Sequence, residues 1–147
     1  MKIKNIPPTY LFTAIAIVPI LWLIIPEINF IIYPYNLVGM LPLLLGFILM
    51  RSVRNLLRAN NTTHSFDEST FIVQESLFSW SRNPMYLGMV LLLTGWAVLF
   101  QNAAGLITPV IFFMVIQFKF IPFEEAKMYN TFGEEYLSYK RTVRKWF

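Results

Sequence analysis

Ser81-Arg82-Asn83-Pro84-Met85-Tyr86-Leu87-Gly88 stands where a polar segment, residues 51–82, gives way to an apolar run over residues 85–100. Proline fixes its own φ and pushes the residue before it out of the helical region, so Asn83-Pro84 predicts a helix start. Arg82 and Asn83 then lie just outside the first turn, with Tyr86 and Gly88 just inside it. A helix start leaves backbone N–H groups without partners and carries a partial positive charge. Polar side chains gathered there, at the edge of a bilayer, form the mouth of a candidate site.

The bilayer follows from composition. Of 147 residues, 56% are hydrophobic, 17% aromatic and 14% charged, whereas a soluble domain carries roughly a quarter charged residues. A domain of this size cannot bury so much apolar surface in its own core, so lipid covers the remainder. Four apolar runs stand out, at 9–25, 37–50, 85–100 and 106–121. Each is a little shorter than the ~20 residues that span a ~30 Å hydrocarbon core. Flanking aromatics and snorkelling Lys or Arg make up the difference. Pro19, Pro42 and Pro109 fall within runs, as membrane helices tolerate. Lys2 and Lys4 precede the first run as in a signal peptide, but no small-residue cleavage site follows, which predicts an uncleaved membrane helix.

Charge fixes the expected orientation. With four alternating helices, residues 26–36 and 101–105 share one side and hold no Lys or Arg, and all 12 basic residues fall on the other. The positive-inside rule then places both termini in the cytoplasm. The expected fold is all-α, an integral membrane protein with four transmembrane helices and a cytoplasmic C-terminal amphipathic region. In that region Tyr129, Phe132, Tyr136, Tyr139, Val143 and Trp146 recur every three or four residues, and Gly133 marks a break. The chain reads as a single membrane domain over 1–147, with two helices and an extension in 1–60 and the site-bearing half in 61–147.

Several chemistries are excluded. A net charge of +4 is too small, and too tied to membrane edges, for nucleic-acid binding. There is no cysteine, which removes disulfides and thiolate sites, and the one histidine, His64, cannot form a multi-histidine metal site. No Ser-His-Asp set, Walker loop or dinucleotide fingerprint is present. What remains is a convergence. The short connection between the third and fourth runs predicts an antiparallel hairpin, which brings Arg82-Asn83-Pro84 near Pro122-Phe123-Glu124-Glu125. In isolation, acidic residues in a first turn simply complement the helix dipole. At membrane level, ionisable groups are costly, which favours a functional reading. Two carboxylates beside Arg82, Asn83 and Tyr86 suit a zwitterionic or cationic ligand: a carboxylate holds an ammonium or offsets a sulfonium, and Arg, Asn and free N–H groups hold a carboxylate. Arg51, Arg54 and Arg58 read as topology determinants, and Glu134-Glu135 and Lys140-Arg141 as a solvated helix face.

In combination, residues 81–88, Glu124-Glu125 and Phe132-Gly133-Glu134-Glu135-Tyr136-Leu137-Ser138-Tyr139-Lys140 with Val143-Arg144 resemble the isoprenylcysteine carboxyl methyltransferase and phospholipid N-methyltransferase group of membrane enzymes. The resemblance covers about residues 62–147. It implies transfer of a methyl group from S-adenosylmethionine, bound at the cytoplasmic membrane edge, to a lipophilic or small-molecule acceptor, in a bacterial or archaeal inner membrane. Asn83, Pro84, Met85, Tyr86 and Glu124 match cofactor-holding positions of that group. Thr70, Phe71, Ile72, Val73 and the aromatic Phe78 match the segment that wraps the adenosine end. Arg82 and Glu125 are the candidate catalytic residues, with Glu125 the nearest base should the acceptor be an amine. Asn83 stands where the eukaryotic carboxyl methyltransferases have histidine, and Phe120 where the group has a substrate-contacting arginine. Two other readings stay open: an NADPH-dependent sterol-reductase-like enzyme, and a non-catalytic membrane scaffold.

Overall fold

A computed structural model describes residues 7–26, 33–59 and 76–147. Its centre is α4 (Pro84–Leu99), which starts where the Asn83-Pro84 pair predicts. Asn83 has φ −129° and ψ 47°, off the helix, and its carbonyl accepts the first helical bond from the Leu87 N–H at 3.1 Å. Pro84 brings a preset φ to a position whose N–H would have no partner in any case. Buried residues occur all round α4, among them Tyr86, Gly88, Met89, Leu93 and Ala97. That distribution suits a helix enclosed by others. Helices α1 (Pro7–Ile24), α2 (Met40–Ala59) and α5 (Ile107–Val115) pack against it, and the single turn α3 (Leu77–Trp80) leads into its start.

The closest of these packings is between α2 and α4. A Cβ on Gly46 would stand 2.5 Å from the Gly88 carbonyl oxygen, and one on Gly95 would collide with the Gly39 carbonyl. Glycines seven residues apart on each segment therefore let two antiparallel backbones touch. The same register places Pro84 opposite Met50. Residues 51–59 of α2 then overhang the start of α4 by roughly 13 Å, and Arg51, Arg54 and Arg58 on that overhang are exposed. The polar start of α4 lies at the level where α2 changes from apolar to basic.

Three segments are long and apolar enough to cross a membrane: Pro7–Ile24, Tyr35–Ala59 and Ala104–Phe132. The fourth, α4, has 16 residues, about 24 Å, less than the ~30 Å of a hydrocarbon core. Enclosure by its neighbours lets it be short, because its ends meet protein rather than lipid. Around this centre Phe12, Leu23, Leu41, Phe47, Ile48 and Ile111 are each more than half exposed, the apolar mantle of an integral membrane protein.

The segment after α5 departs from the expected pattern. Instead of ending near residue 121, it continues through a π-helical turn (Ile116–Phe120) into α6 (Ile121–Phe132). Pro122 would clash with a carbonyl four residues back in an unbroken α-helix. The wider turn ends just before it and takes up the misfit. Gly133, at φ 54°, separates α6 from α7 (Glu134–Thr142) as the sequence predicts. Met128, Tyr136, Tyr139 and Val143 then form a small second core with Phe132. The helical stripe stops at Thr142, because Val143 is extended and Trp146 packs instead on Phe113, ring centroids 5.0 Å apart.

Candidate functional site

The predicted convergence of the hairpin is present. Tyr86, in the first turn of α4, donates its phenolic O–H to Glu124 Oε1 at 2.5 Å. Arg82 Nη2 donates to Glu125 Oε1 at 2.9 Å, with the two side chains 8% and 16% exposed. Successive helical residues point about 100° apart, so the adjacent carboxylates enter different surroundings. Glu124 turns to α4. Glu125 turns to α7, where Lys140 Nζ donates to its Oε2 at 2.7 Å. A cleft of about 470 Å³ between α6 and α7 is lined by Glu125, Tyr129, Tyr136 and Lys140. Lys140 therefore closes an ion-pair network from the solvated face where the sequence places it.

Arg82 and Asn83 chiefly hold the C-terminal segment, residues 143–147. Arg82 Nη1 donates to the carbonyls of Lys140 at 2.9 Å and Val143 at 2.6 Å, and its backbone N–H to the carbonyl of Arg144 at 2.9 Å. Asn83 Nδ2 donates to the Lys145 carbonyl at 2.9 Å. Ser81, fully buried, accepts from the Asn83 N–H at 3.2 Å and donates to the same Lys145 carbonyl at 3.5 Å. Two further bonds fasten α7 and the segment after it: Tyr139 O–H to the Phe78 carbonyl at 2.7 Å, and Trp146 Nε1 to Gln117 Oε1 at 2.8 Å. The carbonyls take the place of the ligand carboxylate that Arg82 and Asn83 were expected to hold.

Both Glu125 oxygens accept from cations. Tyr136 and Tyr139 flank the network. Burial, with the Glu125 charge adding to it, pushes the Tyr136 phenol up to about 12, and burial raises Tyr139 as well. Both therefore stay neutral donors at ordinary pH. Phe120 belongs to the main core and meets Tyr10 edge to face at 5.3 Å, so no charged group occupies that position. Thr70, Phe71, Ile72, Val73 and His64 lie outside the described residues. Among the described residues, no group of three metal-ligating side chains occurs.

The family model described as phospholipid methyltransferase matches residues 35–135, most of the chain. The chain belongs to the phospholipid methyltransferase family. Its matched segment takes in α4, Glu124, Glu125 and the break at Gly133. An uncharacterized protein of Haemophilus influenzae is 37% identical over 62 residues, 42% of this chain and 98% of that protein. A solved structure, the eukaryotic intramembrane Ras methyltransferase (isoprenylcysteine carboxyl methyltransferase), superposes with a TM-score of 0.73 at 20% identity. That match covers 97% of this chain and 53% of the other, so the chain spans about half the length of that enzyme and shares its fold. Within this family setting, three contributors to the site carry little sequence signal: Ser81, Lys140 and the carbonyls of residues 143–145. Only the basic residue among them could have been noticed, by asking which cation answers Glu125.

Proposed function

We propose that this member of the phospholipid methyltransferase family transfers a methyl group from S-adenosylmethionine to a lipophilic acceptor at the cytoplasmic membrane face. The observation that carries the reading is the Tyr86–Glu124 pair, set where α4 begins and α6 leaves the apolar zone. A half-buried carboxylate oriented by a phenol suits a ligand that is cationic at one end, and a zwitterionic amino acid bearing a sulfonium fits that chemistry. When bound, S-adenosylmethionine supplies an electrophilic methyl group on a positively charged sulfur.

The residues of the chain have positioning to do rather than acid–base chemistry, since methyl transfer depends on in-line alignment. Glu124 and Tyr86 hold the cationic end. Asn83, Pro84 and Met85 shape the wall beside it, and Phe78 with residues 70–73 falls to the adenosine end by resemblance. Arg82 and Glu125 brace α4, α6 and the C-terminal segment against one another, and set the distance between the walls. The basic overhang of α2 and the absence of Lys and Arg from the opposite loops support a cytoplasmic site in a bacterial or archaeal inner membrane.

Calorimetry on the purified protein in detergent tests the reading, with S-adenosylmethionine and NADPH titrated separately. Binding of S-adenosylmethionine alone is expected. Glu124→Gln and Tyr86→Phe should each weaken it by about tenfold or more, the size of a lost hydrogen bond to a charged group. NADPH binding without S-adenosylmethionine binding would replace this reading with a reductase. Unchanged affinity in both variants would point to a scaffold.

A further inference from the structure

A second concavity lies away from the Glu124 site, along the seam between α1 and α5. It measures about 510 Å³ and runs from Tyr10 to Leu21 on one side and from Val115 to Ala104 on the other. Its floor includes the buried Ala14 and Phe112, and Ile107 and Ile111 are exposed at its rim. The polar side chains along it make few demands. Thr13 Oγ1 donates to the Thr9 carbonyl at 2.9 Å, and Thr108 Oγ1 to the Gly105 carbonyl at 2.7 Å. The groove is therefore apolar along its length. From Tyr10 to Leu21 it extends roughly 17 Å, close to half of a ~30 Å hydrocarbon core, which is one leaflet.

One end carries a charge. Lys119 Nζ donates to the Tyr10 hydroxyl at 2.8 Å and sits 5.1 Å from the Tyr10 ring and 5.7 Å from the Phe120 ring. These contacts fix the ammonium at the groove mouth and leave two of its three donors for another acceptor. Among the described residues no carboxylate pairs with it: Glu124 accepts from Tyr86, and Glu125 is held by Arg82 and Lys140. An apolar slot one leaflet deep, ending in a fixed cation with free donors, matches one kind of membrane component.

We infer that the α1–α5 groove is a binding site for an anionic phospholipid, with one acyl chain along the groove and the phosphate on Lys119. The bound lipid seals the seam between the first membrane helix and the segment carrying Glu124. This role is independent of methyl transfer. The lipid need not present an amine or carboxylate, so a phospholipid with nothing to methylate serves as well.

Phosphatidylglycerol provides that probe, with phosphatidylcholine of the same chains as the comparison. Native mass spectrometry of the detergent-solubilised protein, with each lipid added in turn, should show one retained phosphatidylglycerol. The preference over phosphatidylcholine, whose choline cancels the phosphate charge, should be about five-fold, as one Lys beside a net-anionic headgroup provides. Lys119→Gln should abolish the preference, and Thr13→Trp, which fills the groove at an exposed position, should reduce retention of both lipids. Equal retention of the two lipids by the unmodified protein, a measurement that needs no variant, would overturn the inference. So would an undiminished preference in Lys119→Gln, or a lipid-free dimer whose dissociation opens the groove.

Discussion

Arg82 connects three parts of the chain that are far apart in sequence. Its guanidinium and backbone N–H together meet Glu125 and the carbonyls of Lys140, Val143 and Arg144. Removing it leaves a poorly solvated carboxylate and several carbonyls with fewer partners, so Arg82→Ala should cost about 2–3 kcal/mol. Arg82→Lys should recover little, because one ammonium cannot reproduce a planar fork with several fixed donors. Denaturant unfolding in detergent measures both, and full recovery by lysine would show that charge alone matters. Tyr136 offers a second test at this scale. An unperturbed tyrosine ionises near 10 and the folded one near 12, because burial, reinforced by the Glu125 charge, disfavours the phenolate. Between those values the folded chain binds more protons than the unfolded chain, so stability falls as pH rises through that window and is unaffected by this group below it. Unfolding midpoints taken across the window should decline, and Tyr136→Phe should lessen the decline.

At the scale of elements, α4 is held by shape as much as by charge. Gly46→Ala would put a methyl group 2.5 Å from the Gly88 carbonyl and the Leu92 backbone nitrogen. Helices packed at that distance can only move apart, and overpacking of this kind costs roughly 1–3 kcal/mol. Gly105→Ala is the matched control, since its Cβ would meet Val18 at an ordinary 3.5 Å. A lower unfolding midpoint in the first variant and an unchanged one in the second is the expected result. The glycine spacing was legible in the sequence, at 39 and 46 and again at 88 and 95, but it has meaning only once the two helices are known to be partners. The apolar runs, the start at Pro84, the break at Gly133 and the nearness of Arg82 to the two glutamates were legible because each rests on local chemistry or on a short loop. The π turn was not. It answers a clash between Pro122 and its own helix that appears only if the helix runs through instead of stopping. The clasp on residues 143–145 was hidden for a different reason: its acceptors are main-chain carbonyls, which every residue carries and no side chain announces.

Over the whole molecule, the site is built between one end of the membrane bundle and the last residues of the chain. The opposite end is closed by bonds between distant parts of the chain, Asn36 Nδ2 to the Leu99 carbonyl at 3.0 Å and Asn102 Nδ2 to the Ile25 carbonyl at 2.6 Å. The bundle therefore has its own fastening away from the site. At the site, the segment after Thr142 supplies acceptors for Ser81, Arg82 and Asn83, and Trp146 bridges to Gln117 in the π turn. The two functions separate on truncation. A chain ending at Thr142 keeps every membrane helix and loses the carbonyls of residues 143–145 together with the Trp146 anchor. Helix content by circular dichroism should change little. Affinity for S-adenosylmethionine should fall by about tenfold or more, because the start of α4 loses one charge-assisted bond from Arg82 and the neutral bonds from Ser81, Asn83 and the Arg82 backbone at once. The same affinity in full-length and truncated chains would reduce the C-terminal segment to a tether. A loss shared by the truncation and by Arg82→Ala, with no further loss when the two are combined, would show that Arg82 acts on the site through that segment.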